Sequence, residues 1–228
     1  VKFDEFVEDQ TFCTADRIYL KWHKDDANYC REVYSYDLFR RFGVWSAPRA
    51  CYTRLSIFVE GDDKPDYMGV YALIEGMKDS YLRSRVEAGK YTIEDGFLWK
   101  ASYGANLSPN TMTDNNMGVE VAALNPSESE TYMYDLKTKK KKLTEAREQL
   151  KSFVNDMNVL KSGSAELKAY LEARVDVDLF LRAYAVNVAV GMWDDHWNNG
   201  NNFYIYFNTT DKYEYKVFFL PYDYDNTL

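Results

Sequence analysis

Histidine and cysteine are scarce: the 228 residues hold two and three of them. Cys13, Cys30 and Cys51 are an odd number without CxxC spacing, which leaves room for one disulfide at most. Buried reduced thiols are the simpler reading. No run of eighteen apolar residues occurs, so nothing in the sequence reads as a membrane span. The motifs GxGxxGxV, GxxxxGK[ST] and GxSxG are missing too, which removes the familiar phosphate-cradling loops and the nucleophile elbow. Positive charge is in deficit, with 28 Lys and Arg against 36 Asp and Glu and a net charge of −8. A nucleic-acid polymer needs a basic face and is excluded as the main partner. A nucleotide held through a divalent cation is compatible, because the metal brings the charge. The chain starts at Val1 without a signal peptide and stops just after an acidic stretch, so it is expected to be a piece of a longer protein.

The stretch that stands out is Gly191 to Leu228. Phe203 to Phe207 (FYIYF) and Lys216 to Leu220 (KVFFL) are aromatic and β-branched runs separated by turn formers, which predicts a β-hairpin. An antiparallel return brings the loop before its first strand beside the loop after its second. Those loops carry Asp194 and Asp195 at one end, and Asp223 and Asp225 at the other, with a row of asparagines ending in Asn202 between the first pair and the strand. Converging Asp and Asn oxygens suit a hard cation, Mg²⁺, Mn²⁺ or Ca²⁺, rather than zinc. The order acidic loop, Asn, hairpin, Asp is also the order of a protein-kinase site, in which one Asp receives the acceptor proton and an Asn and a second Asp hold metal. The interval from Asp194 or Asp195 to Asn202 is longer than in HRDxxxxN, and no Phe-Gly follows Asp223.

These blocks resemble the CotH family, the spore-coat protein H kinases, whose usual forms are GNxD, NxYxY and PWDxD. Gly191-Met-Trp-Asp-Asp, Asn202-Phe-Tyr-Ile-Tyr and Pro221-Tyr-Asp-Tyr-Asp stand in their places, with Met192 for the usual Asn and Tyr222 for the usual Trp. Further blocks agree in order: Asp37-Leu-Phe-Arg-Arg-Phe-Gly-Val, Gly69-Val-Tyr-Ala-Leu-Ile-Glu, Tyr81-Leu-Arg-Ser-Arg, Gly96-Phe-Leu-Trp-Lys and Asp176-Val-Asp-Leu-Phe-Leu. The resemblance runs over nearly the whole chain. It implies an α+β, atypical protein-kinase-like two-lobed domain of antiparallel strands plus a helical part, and a place in a spore coat, a secreted assembly or a cell surface.

Within that frame, residues 1–101 read as strand-rich, 102–142 as a long loop or insertion, and 143–228 as the helical part with the hairpin. Thr11 to His23 predicts a strand, and Asp25-Asp26 can cap a helix from about Ala27 to Phe42. Arg31 on that helix is either a surface residue or a phosphate contact. Ala50 to Glu60 and Tyr67 to Glu75 predict a hairpin around Gly61-Asp-Asp-Lys-Pro-Asp. Glu75 closes its second strand, where the family has an acidic residue, and Lys100 at the end of the strand from Gly96 is its candidate ion-pair partner. Ser80 to Ala88 reads as a helix with Arg83 and Arg85 exposed, and Lys137 to Lys142 as a solvated basic connection. Helices follow from Leu143 or Thr144 to Leu160, from Ser164 to Arg174, and from Leu179 to Val190, the last nearly apolar all round and so expected to be buried. His196 reads as a loop hydrogen-bonder.

The resulting expectation is an atypical kinase that moves the ATP γ-phosphoryl group to a Ser or Thr of a protein. Asp194 or Asp195 would be the base, Asn202, Asp223 and Asp225 would hold Mg²⁺ or Mn²⁺, and Glu75, Lys100 and Arg31 would face the nucleotide. The alternative is a surface adhesin or scaffold module with a structural Ca²⁺. A carboxylate-pair glycosidase fits less well, because Asp beside several Asn suits a cation better than an acid of raised pKa.

Overall fold

The computed structural model describes residues 1–92, 95–123 and 125–228. The fold is α+β, as expected, with five α-helices and two sheets among the described residues. β1 (Ile18–Lys21), β2 (Ala50–Ile57) and β3 (Asp66–Glu75) form an antiparallel sheet in the order β1-β3-β2. Only the last part of the predicted Thr11–His23 strand joins the sheet, because before it the chain runs through left-handed residues at Cys13 and Thr14 and makes isolated bridges, Phe12 to Ala15 and Arg17 to Lys2. α1 (Arg31–Arg41) begins later than Ala27: Asp26 takes the backbone N–H groups of Asn28 (3.1 Å) and Arg31 (2.8 Å), using a turn as the cap. α2 (Asp79–Glu87) buries Arg85, which the sequence had placed on an exposed face.

The second sheet has the order β5-β6-β4-β7-β8, with β4 (Phe97–Ala101), β5 (Met117–Gly118), β6 (Tyr134–Leu136), β7 (Phe203–Phe207) and β8 (Val217–Pro221). β4 pairs with β7 in register Phe97↔Phe207 to Ala101↔Phe203, so the sheet joins segments on both sides of residues 102–142. That middle segment is more than a loop, since it supplies β5 and β6 to the sheet.

Alternation along β7 explains why this sheet is central. Phe203, Ile205 and Phe207 point into one core with Trp99, Phe153 and Val217. Tyr204 and Tyr206 point into the other, with Phe39, Ile74, Tyr81 and Tyr224. A strand buried on both faces reads as a continuous apolar run, as FYIYF does. α3 (Leu143–Val159) covers the first face, and α4 (Ala165–Arg174) packs beside it through Tyr170 and Leu171. α5 (Val177–Ala189) buries only one stripe, Leu179, Ala183, Val186 and Asn187, while Leu181 and Val188 stay exposed. The all-round burial expected of it does not occur, because β8 and α1 pack against a single side. No helix among the described residues is long and apolar enough to cross a membrane.

Candidate functional site

α5 delivers the first acidic pair through a Schellman closure. Gly191 takes φ +64°, its N–H bonds Val188 O at 3.2 Å, and the Met192 N–H returns to Asn187 O at 2.9 Å. The chain then enters the Asp194–Asn202 loop. Gly200 lets this loop sit on the 104–106 backbone, for a Cβ there would lie 2.8 Å from Ala105 N.

The two adjacent aspartates are used differently. Asp195 is buried and spent inside the loop, where its carboxylate accepts the N–H groups of Trp197 and Asn198 (both 3.0 Å) and the side-chain amide of Asn187 (3.0 Å). Asp194 is half-buried and accepts side-chain amides from Asn199 (2.8 Å), Asn201 (3.1 and 3.2 Å), Asn202 (3.0 Å) and Asn226 (3.4 Å). Five neutral N–H contacts orient it without neutralising it. The asparagine row is thus a cradle for one carboxylate, a role hidden in the sequence behind the ordinary use of Asn in turns.

The hairpin brings the second acidic group to the same end. Phe203 pairs with Pro221, and the Tyr222 N–H bonds Asn202 O at 3.2 Å. Asn202 and Asp223 both adopt left-handed backbone, φ +55° and +61°, the kind of conformation that collects at functional sites. Asp223 and Asp225 do not meet alone: Glu32, in the first turn of α1, joins them, with one oxygen of each within 4.8 Å of the others. Lys21, the last residue of β1, sits among all three, in direct contact with Glu32 and Asp223 and 3.5 Å from Asp225. Burial works against the Lys21 charge, but the Glu32 and Asp223 carboxylates outweigh it and hold the ammonium above its ordinary pKa. Burial pushes Glu32 up, against the pull of Lys21. Burial and then the neighbouring Asp223 raise Asp225. With all three carboxylates ionised, as a bound cation would favour, one ammonium leaves two negative charges, which a divalent cation would balance. The donor set is all hard oxygen and fits Mg²⁺ or Mn²⁺.

A buried chain of hydrogen bonds links the two halves. The Tyr224 N–H bonds Glu32 Oε2 at 3.3 Å, the Tyr224 hydroxyl donates to Asn187 Oδ1, and Asn187 donates to Asp195. Tyr36 adds a bond from the Asp223 N–H to its hydroxyl at 3.0 Å.

The remaining expected contacts fall as follows. Arg31 reaches the site, giving Nη1 to Asp225 O at 3.2 Å. The Glu75–Lys100 pair does not form: Glu75 is buried against Arg85 (2.8 and 3.0 Å) and Arg49 (2.6 Å), and these two arginines hold its carboxyl low despite burial. Lys100 lies over the Tyr222 ring at 5.3 Å, its pKa lowered by burial and by Lys137. The ion pair between a strand lysine and a helix glutamate is Lys21–Glu32, and the signal for it was order along the chain, lysine first and glutamate on the next helix. His196 makes no hydrogen bond through its buried Nε2 and packs among Phe180, Tyr184, Phe203 and Phe219, so it is an aromatic-cluster residue rather than a loop hydrogen-bonder.

Comparison with curated proteins finds no match. A family model described as CotH kinase protein matches residues 1–228, the whole chain, and the protein therefore belongs to the CotH family.

Proposed function

We propose that the protein is an atypical, two-lobed protein kinase that transfers the γ-phosphoryl group of ATP to a Ser or Thr hydroxyl of a protein. The observation that carries this reading is the meeting of Lys21, Glu32, Asp223 and Asp225 at the same end of the hairpin as Asp194. A strand lysine paired with a helix glutamate, an aspartate after a hairpin, and an oriented aspartate before it are the parts that phosphoryl transfer requires. The sheet of β1 to β3 with α1 would form one lobe, and the five-stranded sheet with α3 to α5 the other.

In this reading Asp194 takes the acceptor proton, because it is the half-exposed carboxylate, whereas Asp195 shapes the loop. Glu32, Asp223 and Asp225 would hold Mg²⁺ or Mn²⁺, while Asn202, expected as a third ligand, gives its side-chain amide to Asp194. The metal, when bound, supplies charge neutralisation for the phosphates. Lys21 and Lys100 are the cations available to the triphosphate, and Arg31 steadies the Asp225 backbone. The contribution of the chain is alignment and electrostatics, with no covalent intermediate. The family's name favours action on spore-coat or surface partners.

Thermal denaturation with Mg²⁺ alone, ATP alone and both together tests the reading. A kinase is stabilised most by the pair, and Asp223→Ala abolishes both that stabilisation and transfer of label from γ-labelled ATP. A response to Ca²⁺ alone, unaffected by ATP, would instead identify a scaffold module.

A further inference from the structure

A second concave feature lies apart from this site. A cavity of about 340 Å³ opens between the C-terminal half of α1, the segment 44–50 and the end of α2, and none of Lys21, Glu32, Asp194, Asp223 or Asp225 lines it. Its charged lining is Arg40, Arg49, Arg85 and Lys90 against one acidic residue, Asp37. In a chain of net charge −8, four cations around one cavity run against the composition.

The cations are held in different ways. Arg85 is buried and fixed: its guanidinium donates to Trp45 O (3.1 Å), Ala47 O (3.0 Å) and the Glu75 carboxylate. Glu75 also takes Arg49 Nη2, while the Arg49 side chain stays 66% exposed. Asp37 answers Arg40 at 2.5 Å and is shared with Arg41, which lies outside the lining. Lys90 has no ion-pair partner among the described residues and is exposed at the cavity. Glu75 and Asp37 therefore leave two of the four positive charges uncompensated, and Trp45 provides an aromatic wall next to them.

We propose that this cavity binds a phosphate monoester, carried either by a phosphorylated side chain or by a small organic molecule. A monoester carries about −1.5 to −2 charges at neutral pH, which matches the excess. The exposed guanidinium forks of Arg40 and Arg49 suit its oxygens, and Trp45 takes the organic part. The assignment does not depend on the kinase reading. It bears on the first site all the same, because Arg40 rides on the helix that carries Glu32, and a ligand joining Arg40 to Lys90 ties α1 to the end of α2.

The test is titration of the chain with O-phosphoserine, a phosphoserine peptide, inorganic phosphate and plain serine at constant ionic strength, read by calorimetry and thermal denaturation. Both esters should bind and raise the melting temperature while serine does neither, and Lys90→Glu and Arg40→Glu should weaken binding by about tenfold or more. Lys161→Glu, the same charge change outside the cavity, should keep it. A peptide that binds more tightly than free phosphoserine assigns the ester to a protein segment, and equal affinities assign it to a small molecule. Inorganic phosphate binding as well as the esters, no binding by the parent chain, or undiminished binding in Lys90→Glu would overturn the proposal.

Discussion

The two acidic ends of the hairpin hold their carboxylates by opposite means. Around Asp194 every partner is a neutral side-chain amide, from Asn199, Asn201, Asn202 and Asn226. Around Asp223 and Asp225 the partner is a cation, Lys21, shared with Glu32. Amide donors fix a direction and leave the negative charge in place, which is what a proton acceptor needs. A lysine neutralises, and it holds like charges together that would otherwise spread apart. One end is thus built to aim a charge, and the other to share a cation.

That contrast breaks first at Asp194. Asp194→Asn keeps the shape and the amide contacts on one side, so the fold and the Mg²⁺·ATP response should persist while phosphotransfer falls by about 10²- to 10⁴-fold, the usual worth of a general base. Loss of the nucleotide response as well would mean that Asp194 belongs to the cation-sharing end. Asp195→Ala should behave in the reverse order. Its carboxylate serves three donors in a buried loop, so removal should cost about 3 kcal/mol or more in denaturant unfolding, with lost activity following from the disordered loop.

A smaller effect is expected at the link between the ends. Tyr224→Phe removes only the hydroxyl that donates to Asn187 and leaves a buried amide oxygen without its partner, at a cost of about 1–3 kcal/mol. Because Asn187 in turn holds Asp195, the substitution should lower the rate of transfer more than it weakens Mg²⁺·ATP. A double-mutant cycle with Asn187→Ala should show non-additive energies, since the two residues share one bond. Additive costs would cut the proposed link and leave the two ends independent.

The same contrast separates what could be read in the sequence from what could not. The terminal hairpin, the helices α3 to α5 and the convergence of Asp194 with the 221–226 segment follow from periodicity and turn residues, because each is a local pattern or a direct result of antiparallel return. Lys21 and Glu32 escaped because nothing local marks them: one ends a four-residue strand, the other sits in the first turn of α1. Their meeting with Asp223 depends on how α1 packs across more than 190 residues of intervening chain. Glu75 and Lys100 attracted attention as charged residues ending strands, yet Glu75 has the buried Arg85 as a nearer partner, ten residues on. The stripe on α5 shows the same limit, since Leu181 and Val188 are apolar in sequence and exposed in the fold.

The smallest expected effect concerns His196, which stands next to Asp195 but touches neither acidic end by hydrogen bond. Burial among Phe180, Phe203 and Phe219 holds its pKa below the ordinary 6.5, and the Asp195 charge offsets only part of that. The unfolded chain titrates at the ordinary value and so takes up a proton before the folded chain does. Stability from this source is complete above pH 6.5 and declines as the pH falls below it. His23 is lowered in the same direction, chiefly by burial, and contributes to the same decline. Urea unfolding between pH 5 and 8 should therefore show His196→Phe losing part of the acid-side slope of the parent while keeping the aromatic packing. If the slope is unchanged, the imidazole takes up its proton at the same pH folded and unfolded; a steeper acid-side slope in the variant would mean that the folded chain holds the proton more tightly, and the cation then standing beside Asp195 would make the Asp194 end, too, a site of charge compensation.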